Sequence, residues 1–124
     1  MGTSWRSLCS GPKFKLDGEG VIVQFENGRT HRVRVQETEE VIEVHALVAR
    51  AAAVSDVADL PLRLWLRNRS AQLVSFRIDT RGRVCAEGWV PKPGLTAEEF
   101  QHILHHVAAE SDRLEFILTG KDVE

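Results

Sequence analysis

Gly94-Leu95-Thr96-Ala97-Glu98-Glu99-Phe100 opens the stretch on which the fold is decided. Thr96 is placed to cap a helix, and Glu99, three residues on, can reach back to complete a capping box. Leu95 before the cap can pack on Phe100 as a hydrophobic staple. Phe100, Ile103, Leu104, Val107, Ala108 and Leu114 then recur near the 3.6-residue period on one stripe. Gly120 is the natural terminator. A helix apolar on a single stripe has to be covered, and what precedes it supplies the cover.

Immediately upstream, Pro91-Lys92-Pro93-Gly94 stops a strand that runs from Arg83 to Val90. Thr80-Arg81-Gly82 makes a turn, and Gln72 to Asp79 reads as its partner strand, with Val74, Phe76 and Ile78 inward. The segment before, Asp56 to Ser70, carries two periods. Leu60, Leu62, Leu64 and Leu66 alternate like a strand, while Leu62, Trp65, Leu66 and Arg69 share one helical face. β-Branched residues are absent from 60 to 70, Asp56 or Asp59 can cap, and Pro61 suits a first turn, so helix is the reading.

Further back, Val41 to Arg50 reads as a strand with Ile42, Val44, Ala46 and Val48 on one side and Glu43 and His45 on the other. His31 to Gln36 alternates Val33 and Val35 against Arg32, Arg34 and Gln36, the pattern of an antiparallel sheet with one wet face. Asn27-Gly28 joins it to a first strand through Val21, Val23 and Phe25 by a tight type I′ hairpin, with Phe14 and Leu16 extending that strand backwards across a Gly18–Gly20 break. The expectation is an α+β fold of order β-β-β-α-β-β-α, an antiparallel five-stranded sheet with two helices packed on one face. Residues 1–12 read as a flexible N-terminus and residues 13–124 as a single domain.

Bulk properties narrow the function. At 124 residues, 43% apolar and 27% charged, the chain has the make-up of one globular domain. No stretch approaches the ~20 apolar residues of a membrane span, and residues 1–11 lack the apolar run of a signal peptide. Cys9 and Cys85 fit neither a disulfide framework nor a metal spacing, and read as free thiols in a reducing cytosol. The net charge of −2 conceals a basic centre, +3 over residues 56–95, and an acidic C-terminal part, −5 over residues 96–124. Charge of both signs can orient a partner.

Beyond these signals, the chain resembles the YbjN family, whose fold is that of the type III secretion chaperones. Asn68, then Leu73-Val74-Ser75-Phe76-Arg77-Ile78-Asp79 and Arg83-Val84, carry the resemblance. So do Trp89-Val90-Pro91, Gly94 to Phe100, and Ala108-Ala109-Glu110-Ser111-Asp112-Arg113. Members of this fold begin with a helix before the first strand, and Met1–Lys13 is too short and too weakly patterned to supply a clear one. The resemblance implies a cytoplasmic bacterial protein, often a homodimer, that binds a protein partner or client or regulates stress or signalling. It brings no catalytic residues.

The residues themselves offer three further surfaces. Arg63, Arg67, Arg69, Arg77, Arg81 and Arg83 cluster in sequence with Trp65 among them, the composition of protein hot spots and of nucleic-acid faces. Trp89 faces away from Val84 and Ala86, which places an indole on the outer sheet face. Trp65, Arg67, Arg69, Arg77 and Trp89 are therefore the candidate protein-binding residues. A homodimer would cover Trp65 and Trp89. With no Tyr and a net negative charge, an acidic protein surface outranks nucleic acid as the partner of the arginines, and a nucleic-acid-binding regulator is the alternative. Glu98, His102 and His106 have the i, i+4 spacing of helical metal sites, with His105 beside them, which makes a small metal-binding protein a further alternative. All four point away from the apolar stripe, so the cluster reads as solvated, and His31 and His45 carry no assigned role. No nucleophile–base pair or phosphate loop is present, so neither catalysis nor a cofactor is expected.

Overall fold

The computed structural model describes residues 5–120. Its strands are β1 (Phe14–Asp17), β2 (Gly20–Gln24), β3 (Thr30–Glu37), β4 (Val41–Ala49), β5 (Ser75–Ile78) and β6 (Val84–Pro91). A short helix α1 (Ala51–Val54) and helix α2 (Leu60–Ser70) lie between β4 and β5, and α3 (Ala97–Thr119) follows β6. All six strands pair antiparallel in one sheet of order β1-β2-β3-β4-β6-β5.

Six strands replace the expected five. The Phe14–Leu16 stretch does not extend the first strand. The chain folds back at Gly18, whose φ of 61° suits a residue without a Cβ, and Asp17 pairs with Gly20. Lys15, Leu16 and Asp17 are exposed and Phe14 half-buried, so this strand has no alternation for a sequence reading to detect. The Asn27-Gly28 hairpin is likewise not type I′. Gly28 N–H donates to the Phe25 carbonyl at 3.0 Å, and among these two residues only Gly28 takes positive φ. The same construction closes the other hairpin, where Gly82 N–H donates to the Asp79 carbonyl at 3.0 Å and Gly82 has a φ of 82°. In both, a turn is followed by a left-handed glycine, the three-residue alternative to a primed two-residue turn.

The core lies between one sheet face and α3. Val21, Val23, Val33, Ile42, Val44, Ala46, Val84 and Ala86 are buried against Phe100, Ile103, Leu104, Val107 and Ala108. The capping box at Thr96 and Glu99 forms as expected, and Gly120 ends the helix with a φ of 70°. Small residues on β6 let α3 approach closely. A Cβ on Gly88 would stand 2.7 Å from the Leu73 carbonyl oxygen and 3.3 Å from Ile103 Cδ1.

Helix α2 forms within the expected segment, packs beside β5 with Leu64 its one buried side chain, and reaches α3 through Arg67 and Glu110. Period two on a helix distributes apolar groups around it, so Leu62, Trp65 and Leu66 face outward when Leu64 faces in. Asp59 stands at the helix start without a side-chain cap bond. Val74 and Phe76 point into the core as expected, whereas Ile78, at the end of an edge strand, stays exposed.

The expected flexible N-terminus is packed from Trp5 onward. Trp5–Leu8 forms a 3-10 turn, and Trp5 is buried, edge-on to Phe100 at 6.4 Å between ring centroids. Gln101 on α3 donates to the carbonyl of Leu8 at 2.8 Å. An indole buries a large apolar area at one position, which periodicity cannot register.

Candidate functional site

Among the described residues, the sheet leaves one face open. On it, antiparallel register aligns Arg34 with His45, His45 with Glu87, and Glu87 with Ser75. The next rank on one side pairs Glu43 with Trp89, and on the other Leu47 with Cys85 and Cys85 with Arg77. Trp89 is 65% exposed, and Leu73 beside it is also exposed. Arg32, Arg34, Arg77 and Arg83 surround a cleft of about 410 Å³ on this face, with Asp79 and His45 in its wall.

Electrostatics within the cleft follow from its hydrogen bonds. The main-chain N–H of Arg83, its guanidinium and the N–H of Arg81 all donate to the Asp79 carboxylate, holding its pKa down at about 2. Arg77 reaches Glu87 at 3.2 Å and Arg32 reaches Asp17 at 3.0 Å. Arg34 forms no ion pair among the described residues. Burial, and next the Arg34 charge, lower the His45 pKa, so its 3.7 Å approach to Glu87 is not a full ion pair at neutral pH. Burial raises both thiols, Cys9 to about 11, which leaves them protonated and poorly nucleophilic.

The arginine cluster seen in sequence does not form one surface. Arg67 turns toward α3 and pairs with Glu110 at 3.1 Å, while Arg69 lies over the Trp65 ring at 5.2 Å on the outward side of α2. Arg77 and Trp89 belong to the open sheet face. The five candidate residues thus divide: Trp65 and Arg69 lie with Leu62 and Leu66 on the outward side of α2, Arg67 turns to α3, and Arg77 and Trp89 lie on the sheet. Missing from the sequence reading were Arg32, Arg34 and His45, which only strand pairing brings beside Arg77 and Arg83; their alternation with core valines was the available signal.

The histidines also separate. His102 and His106 stack at 6.1 Å, His106 meets the Gln72 carbonyl at 2.6 Å, and His105 turns edge-on to Phe25. Among the described residues, the grouping able to offer three metal ligands together is His31, Asp112 and Glu115, with donor atoms within 4.8 Å of one another. The Arg29 guanidinium is bound to Asp112, and His31 Nε2 lies 2.9 Å from the Leu47 carbonyl. A cation beside Arg29 would face an existing positive charge, and the Arg29–Asp112 pair ties the start of β3 to α3. No described helix is long and apolar enough to cross a membrane.

No protein-family model matches the chain, and no curated protein matches it. Solved structures do. A chain of the ExsC–ExsE complex superposes with a TM-score of 0.60 at 18% identity, over 85% of this chain and 80% of that one. The Yersinia pestis type III secretion chaperone SycH, solved with a stable fragment of YscM2, gives 0.56 at 8% identity over 93% and 99%. The HopA1–SchA chaperone–effector complex gives 0.50 at 15% identity over 94% and 87%. At such identities these likenesses establish the fold: an α+β chain with an antiparallel sheet and a C-terminal helix, of the type III secretion chaperone kind.

Proposed function

We propose that this chain is a non-enzymatic protein-binding module, a chaperone-like or regulatory adaptor of the YbjN type, working as a cytoplasmic homodimer in bacterial stress or signalling. The observation that carries the reading is the pair of exposed indoles on two separate elements of a fold shared with a chaperone–effector complex and with a secretion chaperone solved with a fragment of another protein. Tryptophan is enriched among the residues that anchor protein interfaces. The outward side of α2, Leu62, Trp65 and Leu66, serves as the two-fold contact, and the open sheet face with Trp89 receives the partner. The nucleic-acid alternative loses support because Arg67, Arg77 and Arg83 are each engaged by a carboxylate and Arg69 by an indole.

Affinity capture from the native host, using the tagged chain and its Trp89→Ala variant, tests this. A defined polypeptide retained at near one-to-one ratio by the parent chain and lost by the variant is the expected result. Retention of nucleic acid in place of protein, or equal retention by both chains, would remove the reading.

A further inference from the structure

We propose that the arginine-walled cleft on the open sheet face binds the carboxylates of an extended acidic segment of a partner protein. This rests on the protein-binding reading above and names the chemistry of the ligand. Four guanidinium groups, from Arg32, Arg34, Arg77 and Arg83, stand around the cleft, and Asp79 is the carboxylate in its wall. Three of the four are engaged: Arg32 with Asp17, Arg77 with Glu87, and Arg83 with Asp79. Arg34 has no such carboxylate among the described residues, and its strand neighbour His45 is held toward the neutral form. The excess positive charge of the cleft therefore centres on a fork-shaped donor suited to bidentate carboxylate binding.

Charge changes along the face, and this selects the class of ligand. One rank beyond His45 and Glu87 lie Glu43 and Trp89, with Leu73 completing a second hollow of about 510 Å³ that shares His45 with the first. An evenly charged phosphate backbone laid across both hollows would meet Glu43 and Glu87. A peptide can vary its charge residue by residue, placing acids at Arg34 and an apolar side chain on Trp89.

The test uses fluorescence anisotropy with a labelled peptide of alternating glutamate and serine ending in leucine. The same peptide with lysine for glutamate and a deoxythymidine oligonucleotide of equal charge serve as comparisons. The glutamate peptide alone should bind, with affinity falling as salt rises. Arg34→Glu should weaken it by at least about tenfold, and Arg63→Glu, on exposed α2, should leave it unchanged. Arg34→Gln, which removes charge without reversing it, should give an intermediate loss, and circular dichroism checks that each variant is folded. No binding of the glutamate peptide at millimolar concentration, equal binding by Arg34→Glu, or tighter binding of the oligonucleotide would overturn the proposal. Host capture separates the two levels. If the parent chain and Arg34→Glu retain the same partner equally, the acidic-segment inference fails while the protein-binding reading stands.

Discussion

Gly88 has no room for a methyl group, because the Leu73 carbonyl oxygen occupies the space a Cβ would need. Backbone atoms yield less readily than side-chain tips, so Gly88→Ala should cost about 1–3 kcal/mol by overpacking the β6–α3 seam. Denaturant unfolding measures it; an unchanged midpoint would mean the seam is looser than described. Thr96 works differently: its hydroxyl accepts from the Glu99 N–H while the Glu99 carboxylate accepts from the Thr96 N–H. Thr96→Ala should lose about 1 kcal/mol, read in the same titration. Asp79 gives a pH signature. Its folded pKa of about 2 lies below the ~3.9 of an unfolded aspartate. Its contribution is therefore fully present above that unfolded value and disappears as pH falls through the folded one. The stability gap between the parent chain and Asp79→Asn should be widest near neutrality and close toward pH ~2. A gap that ignores pH would contradict the role given to this carboxylate.

Among the elements, β5 shows how side chains finish what strands leave open. It is an edge strand, and its exposed main chain at Phe76 is met by Asn68 on α2, which accepts from the Phe76 N–H at 2.7 Å and donates to its carbonyl at 2.9 Å. The asparagine amide thereby imitates a neighbouring strand and blunts the edge. Asn68→Ala should lose about 1–2 kcal/mol and raise the tendency to aggregate, checked by unfolding and by light scattering over time. Legibility in the sequence differed by element for identifiable reasons. Helix α3 and strands β3, β4 and β6 announce themselves because each buries one periodic face. Strand β1 buries almost nothing, so the sixth strand could not be read from periodicity, and the leucines on both sides of α2 gave its segment two competing periods. Trp5 reaches the core by a single large contact, with no repeat to mark it.

At the scale of the molecule, sequence neighbourhood misled where strand pairing decides proximity. Six arginines close in the chain are divided among α2, the β5–β6 turn and the open sheet face, while Arg32 and Arg34, more than forty positions before Arg77, stand with it around one cleft. The fold thus exposes two distinct surfaces: an apolar one on α2 and a mixed basic and aromatic one on the sheet. Light scattering should report twice the 13.9 kDa chain mass at micromolar concentration. That dimer should survive moderate salt, since exposed ion pairs contribute only about 0–1 kcal/mol each, and weaken in Trp65→Ala. A mass near one chain across the range would refute the two-fold contact without touching the sheet face. The most direct measurement of the central claim is calorimetric titration of the partner recovered from the host, purified, into the parent chain, Trp89→Ala and Trp65→Ala. One partner segment per chain, affinity lost in Trp89→Ala and retained in Trp65→Ala, is the predicted result; equal affinity in Trp89→Ala, or a purified partner that no longer binds, would contradict it.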